Sequence, residues 1–118
     1  MLKYCYRLIT KNNKKIVEKF YNSAFHKTDL NEYLTHKGVE QIILVGMQTE
    51  FCIDATLRSA FDLEYKVLIP RGANTTYDND YMMAEQLLNY YHDMIWDNRY
   101  GKVVSMEQAV AALGSKAD

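Results

Sequence analysis

Gln41-Ile42-Ile43-Leu44-Val45-Gly46-Met47, running on into Gln48-Thr49-Glu50-Phe51-Cys52-Ile53-Asp54-Ala55-Thr56-Leu57, is the stretch that decides the fold. Its first seven residues are the strongest strand in the chain. They are apolar on both faces, so the strand belongs inside a sheet that helices cover on both sides. A helix begins near Thr49 and runs to about Asp62, with Ile53, Leu57, Ala60 and Phe61 as its buried stripe. A strand feeding directly into a helix is a βα unit, and repeated βα units build a parallel sheet.

Upstream, Ile16-Val17-Glu18-Lys19-Phe20 reads as a short strand after the polar turn Lys11 to Lys15. Thr28 or Asp29 opens a helix that carries Leu30, Tyr33 and Leu34 on one face and ends at Gly38. Downstream, Lys66-Val67-Leu68-Ile69-Pro70 is a strand closing at the proline, and Arg71 to Asn79 is a polar loop. Asn79 or Asp80 caps a long helix to roughly Trp96, with Met83, Leu87, Tyr90 and Met94 at helical spacing. Lys102-Val103-Val104 is the last strand, and Ser105 with Gln108 forms a capping box for a final helix that stops at Gly114.

The order is β-α-β-α-β-α-β-α with right-handed crossovers. The fold class is therefore α/β, with three α/β/α layers on a parallel, Rossmann-like sheet. Ligands in such open sheets bind at the C-terminal strand ends. That rim takes in Met47 to Cys52, Arg71 to Thr76 and the segment after Lys19.

A length of 118 residues suits one small domain, read as 1–118 with an atypical segment at 1–15. The net charge of −1 gives no basis for a nucleic-acid or anionic-membrane partner. No apolar run approaches the roughly 18 residues of a membrane span, and the basic start lacks the apolar centre of a secretory signal. Cys5 and Cys52 make no disulfide framework, so a cytoplasmic location is expected. The ten tyrosines are read as core and interface packing.

Cys52 lies three residues after Thr49, the expected N-cap, in the first turn of the helix behind the central strand. Bare N–H groups and the helix dipole favour an anion there, and the same N–H groups suit an oxyanion. A free cysteine is also a common buried apolar residue, and position alone leaves both readings open. Lys19, at the end of its strand, suits holding a thiolate or relaying a proton, or equally a solvated place beside Lys14 and Lys15. His26 lies on the rim, whereas His36 and His92 read as surface or snorkelling residues of helices. Glu50, Asp54, Asp78 and Asp80 read as complements to helix dipoles. No residues have metal-ligand or phosphate-loop spacing, so no metal and no cofactor is expected.

Lys19-Phe20-Tyr21-Asn22-Ser23-Ala24-Phe25 and Thr28-Asp29-Leu30, taken with Val45 to Thr56, resemble the isochorismatase-like cysteine hydrolases, which include nicotinamidases and N-carbamoylsarcosine amidohydrolases. The pattern is K-x-x-x-S-A-F-x-x-T-x-L, a strand, then G-x-x-T-[DE]-x-C-[VI]-x-x-T, continued by Ser59-Ala60 and Tyr65-Lys66-Val67. The resemblance implies Cys52 as nucleophile, Lys19 as the active-site lysine and a cis peptide joining Met47 to Gln48. The N–H groups of Gln48 and Cys52 would form the oxyanion hole. Phe25 and Thr75 on the rim are read as substrate-binding.

The family's third catalytic residue, an aspartate in a D-x-Q segment of the first strand, has no counterpart in this sequence. Nor have the metal ligands of nicotinamidases. The fold is therefore expected to be N-terminally truncated, leaving Ile42 to Val45 as an exposed, association-prone edge. The expectation is a cysteine hydrolase that attacks a small amide-type substrate through a covalent intermediate, in a homo-oligomer. The alternatives are a catalytically impaired, oligomerising remnant and one half of a split enzyme.

Overall fold

The computed structural model describes Tyr4–Ile9 and residues 14–114. The chain runs through β1 (Tyr4–Ile9), β2 (Lys14–Lys19), α1 (Leu30–His36), β3 (Gln41–Ile43), β4 (Gly46–Met47), a π-helical turn (Thr49–Ile53) and α2 (Asp54–Asp62). It continues through β5 (Lys66–Pro70), β6 (Asn74–Thr75), α3 (Ala84–Asn89), a π-helical stretch (Tyr90–Trp96), β7 (Lys102–Val104) and α4 (Met106–Gly114). No helix among the described residues is long and apolar enough to cross a membrane.

The β-branched runs form a parallel sheet in the order β3-β5-β7, with Ile42 opposite Val67 and Ile69 opposite Val103. β5 is central: Val67 and Ile69 are buried, each worth about 1.5–3 kcal/mol against exposure. α2 and α4 both pack on it, giving the three-layer α/β/α arrangement. Gly101 sits where the chain enters β7, and a Cβ there would lie 2.7 Å from the Val67 carbonyl oxygen and 2.8 Å from Ile69 Cδ1. That approach requires glycine.

The strand expected over Gln41 to Met47 is broken in two. Gly46, at a φ of 125°, turns the chain so that its N–H donates to the Ala73 carbonyl, 2.9 Å away. β4 then pairs in parallel with β6, Gly46 opposite Asn74 and Met47 opposite Thr75. Nor is this strand covered on both faces. Among the described residues β3 is an edge strand, Ile42 and Ile43 are half-buried, and Val45 and Met47 are exposed.

The strand read at Ile16 to Phe20 is a second correction. β2 pairs antiparallel with β1, Val17 opposite Tyr6, and does not join the parallel sheet. Lys11 to Asn13 of the expected polar turn lie outside the described residues, while Lys14 and Lys15 belong to β2.

Thr28 Oγ1 accepts the Leu30 N–H at the start of α1, whereas Asp29 pairs with Lys15 at 3.0 Å. Gly38, at a φ of 70°, follows its end. In α2 the buried stripe contains Thr56, Leu57 and Ala60, but Phe61 is exposed, edge-on to Tyr100.

The long helix starts later than expected, at Ala84, whose N–H donates to Asp78 Oδ1 at 2.8 Å. Asn79 instead accepts from the Tyr81 and Met82 N–H groups, closing a turn before the helix. Its buried face carries Leu87, His92 and Trp96, while Met83, Tyr90 and Met94 face solvent. Ser105 and Gln108 cap α4 reciprocally, at 2.9 and 3.1 Å.

Candidate active site

Lys19 ends β2, and the following segment is fastened to α2 by short polar side chains. Ser23 Oγ donates to Ser59 Oγ at 2.8 Å, the Ala24 N–H donates to Thr56 Oγ1 at 3.0 Å, and Thr28 Oγ1 donates to the Ala24 carbonyl at 2.6 Å. Ala24 is wholly buried against this surface. The fastening carries Lys19 inward until it is 1% exposed. Its Nζ donates to the carbonyls of Tyr21 and Asn22, both at 2.8 Å, and to Cys52 Sγ at 3.4 Å. A buried ammonium persists only with such partners.

Cys52 lies in the π-helical turn that precedes α2 and is 6% exposed. Its sulfur also lies 3.9 Å from Asn22 Oδ1. Among the described residues no carboxylate hydrogen-bonds this sulfur. The Met47–Gln48 peptide bond is cis, and Gln48, in extended conformation, stands at the N-cap position assigned in the sequence to Thr49. Thr49 lies inside the turn and is wholly buried, with its hydroxyl directed at Asn74 Oδ1, 2.6 Å away, and 3.1 Å from the Thr75 carbonyl.

The acidic residues around the cysteine do more than complement a dipole. Glu50 accepts from Thr76 Oγ1 at 2.6 Å and from Gln48 Nε2 at 3.4 Å, tying the turn to the segment after β6. Asp54 Oδ1 accepts from Arg58 Nε at 3.0 Å and from the indole N–H of buried Trp96 at 2.9 Å. The Asp54 hydrogen bond pushes the Arg58 guanidinium above its ordinary value.

Lys19, Cys52, Met47 and Gln48 thus meet on one rim, and Thr75 borders it through its backbone. Phe25 is not brought in: its ring stacks on Tyr65, 5.8 Å away, ahead of the N-terminal end of β5. His26 lies on the exposed segment, edge-on to Tyr21. Among the described residues no three His, Cys, Asp or Glu side chains converge as a metal site needs.

His92 is the clear departure from the sequence reading. It is buried, not at the surface, and its Nε2 lies 3.0 Å from Asn74 Nδ2 while Nδ1 lies 2.5 Å from the Leu88 carbonyl. Burial pushes its pKa down, helped by the charge of Arg71 and opposed by the Leu88 carbonyl and Asp93. Asn22, Asn74 and His92 all went unnoticed as site residues. Only His92 had a usable signal, its i, i+4 spacing to Leu88 and Trp96.

A parallel α/β/α sheet with a buried Cys–Lys pair on its C-terminal rim places the molecule among isochorismatase-like α/β proteins. A solved isochorismatase-family structure superposes with a TM-score of 0.69 at 37% identity, covering 74% of this chain and 52% of that one. A putative isochorismatase-family hydrolase from Chromobacterium violaceum ATCC 12472 gives 0.77 at 27% identity, covering 85% and 54%.

The chain belongs to the isochorismatase family: the family model described as isochorismatase domain matches residues 3–108. That match begins inside the segment set apart at 1–15. Nicotinamidase 3 of Arabidopsis thaliana is 36% identical over 66 residues, which are 56% of this chain and 33% of the relative. A streptothricin hydrolase of Streptomyces noursei is 34% identical over 65 residues, 55% of this chain and 26% of the relative. The chain therefore spans a third or less of these curated relatives and about half of the solved chains.

Proposed function

We propose that the chain is a cysteine hydrolase of small amide-type substrates, with Cys52 as nucleophile and Lys19 as its charged partner. The observation that carries this reading is the 3.4 Å approach of Lys19 Nζ to Cys52 Sγ with both side chains buried. Attraction between opposite charges strengthens where water is excluded, so the ammonium supports negative charge on the sulfur. A thiol serving only as apolar filling has no use for that neighbour. For the same reason a purely oligomerising remnant is the weaker reading.

Lys19 carries the proton that the thiol has given up. The thiolate attacks the carbonyl carbon, forming the S–C bond, and the carbonyl electron pair moves to oxygen. The N–H groups of Gln48 and Cys52, at the turn after the cis bond, receive that oxyanion. As the C–N bond breaks, Lys19 returns the proton to the departing nitrogen, and water then cleaves the thioester to acid and free thiol. Relatives named nicotinamidase and ureidoacrylate amidohydrolase support an amide-type substrate. The free Cys52 thiol supports a reducing, cytoplasmic setting. The exposed Val45 and Met47 beside edge strand β3 support association with a second copy.

The test is the site and rate of acylation by p-nitrophenyl acetate, read by peptide mass spectrometry. The expected acetyl adduct sits on Cys52, is absent from Cys52→Ser, and forms more slowly in Lys19→Met by about 100-fold or more. Acylation of Cys52 no faster than that of Cys5 in the urea-unfolded chain overturns the proposal.

A further inference from the structure

Three consecutive residues of the nucleophile turn are each tied to the three residues Asn74 to Thr76. Gln48 Nε2 donates to Thr76 Oγ1 at 3.3 Å, Thr49 Oγ1 lies 2.6 Å from Asn74 Oδ1, and Glu50 accepts from Thr76. Thr75 is exposed, whereas Asn74, 2% exposed, is the side chain of this segment that reaches into the interior.

Asn74 is in turn fixed by His92, and the directions of the bonds are determined. The Leu88 carbonyl can only accept, so His92 Nδ1 carries the proton and Nε2 presents a lone pair. Nε2 must therefore accept from Asn74 Nδ2, which leaves Asn74 Oδ1 to accept from the Thr49 hydroxyl. All three side chains are at least 98% buried, so no water substitutes for a lost partner. His92 also lies edge-on to Trp96, whose indole N–H holds Asp54 at the start of α2. One π-helical stretch thus fixes the nucleophile turn and the helix that follows it.

We propose that His92 is a positioning residue for the nucleophile turn, acting through Asn74 and Thr49 to keep Gln48 and Cys52 in register. The inference rests on the reading of Cys52 as nucleophile. A bulky apolar residue would fill the same space; the imidazole is distinguished by offering a donor at δ and an acceptor at ε on opposite sides of one ring.

The experiment measures the rate of carboxamidomethylation of Cys52 by iodoacetamide, by peptide mass spectrometry, in the full chain and three variants. His92→Gln places an amide oxygen near the ε position and can still accept from Asn74. His92→Asn places its amide near the δ position and loses Asn74. Displacing a reacting group through a distant support costs about tenfold or more, which is the loss expected for His92→Asn, with His92→Gln close to wild type. Equal rates for His92→Asn and wild type overturn the proposal, as do equal losses for His92→Asn and His92→Gln. Lys19→Met separates the two readings. An unchanged rate there, with a loss in His92→Asn, sinks the Lys19 partnership and leaves the positioning role standing.

Should His92→Asn not fold, the ratio of wild type to His92→Gln against pH carries the test. A proton on Nε2 sets donor against donor at Asn74, so the ratio falls as pH drops through the value of the folded imidazole, which burial holds below the ordinary one. The charged groups near the ring, Arg71 and Asp93, pair with each other and are common to both proteins. A flat ratio overturns the proposal.

Discussion

Thr56→Val keeps the shape of the side chain and removes the oxygen that accepts the Ala24 N–H at 3.0 Å. Ala24 is 0% exposed, so water cannot replace the lost acceptor. An orphaned buried donor costs about 1–3 kcal/mol. Unfolding entropy of about 2.1 cal/mol/K per residue, over 118 residues, makes each kcal/mol worth roughly 4 °C of melting temperature. The variant should therefore melt about 4–12 °C below wild type by differential scanning calorimetry. The same clamp carries the segment that leads back to Lys19, so the alkylation rate of Cys52 should fall as well. Thr56→Ser restores the oxygen and should recover most of both losses. A melting point within about 1 °C of wild type refutes the reasoning, and so does a serine variant that fares no better than valine.

Gly101→Ala sets a methyl 2.7 Å from a carbonyl of the central strand, an overpacking expected to cost about 1–3 kcal/mol in urea unfolding, and an unchanged midpoint contradicts it. Asp54→Ala leaves the indole N–H of buried Trp96 without its acceptor and should cost about 1–3 kcal/mol. Asp54→Asn keeps an accepting oxygen there and should lose less than about 1 kcal/mol, since the Arg58 side chain is 44% exposed; equal losses in the two variants contradict this account. The His92 pKa is lower folded than unfolded because burial disfavours the charged ring. Its contribution to stability is thus complete above about pH 6.5 and is lost as pH falls toward the folded value. The urea midpoint of wild type should drop between about pH 7.5 and about pH 5.5 more steeply than that of His92→Gln, and parallel curves contradict it.

Local patterning was legible wherever one residue type dictates one conformation. The Ser105–Gln108 capping box and the end of α1 before Gly38 needed only their own neighbours. The runs Ile42-Ile43 and Val67-Leu68-Ile69 announced two paired parallel strands, although only β5 is buried as the sequence suggests. What stayed illegible depended on partners remote in sequence. β2 looked like another sheet strand because its composition does not reveal that β1 is its partner. Gly46 looked like part of a strand, although its positive φ moves Met47 onto a different pairing with β6.

The long helix shows how a small error of phase becomes an error of chemistry. A stripe through Met83, Leu87, Tyr90 and Met94 follows regular α spacing, yet the chain is π-helical from Tyr90 to Trp96. A wider turn delays each later residue around the axis, so the buried face passes through Leu87, His92 and Trp96. With regular α phase, the histidine that meets Asn74 reads as facing solvent.

The two halves of the motif carry more than Lys19 and Cys52. Lys19 and Cys52 stand 33 residues apart on elements that share no strand pairing. Their meeting depends on Ser23 against Ser59, Ala24 against Thr56, and Thr28 folding back on Ala24. The serine, alanine and threonines of the motif are therefore docking residues: they press one segment onto α2 closely enough to exclude water from an ammonium. The same Lys–Cys contact in solvent would be screened to little. The spacing of such a motif thus describes a packing surface as well as a pair of polar side chains. A lysine and a cysteine without those small residues between them would lack this dry contact.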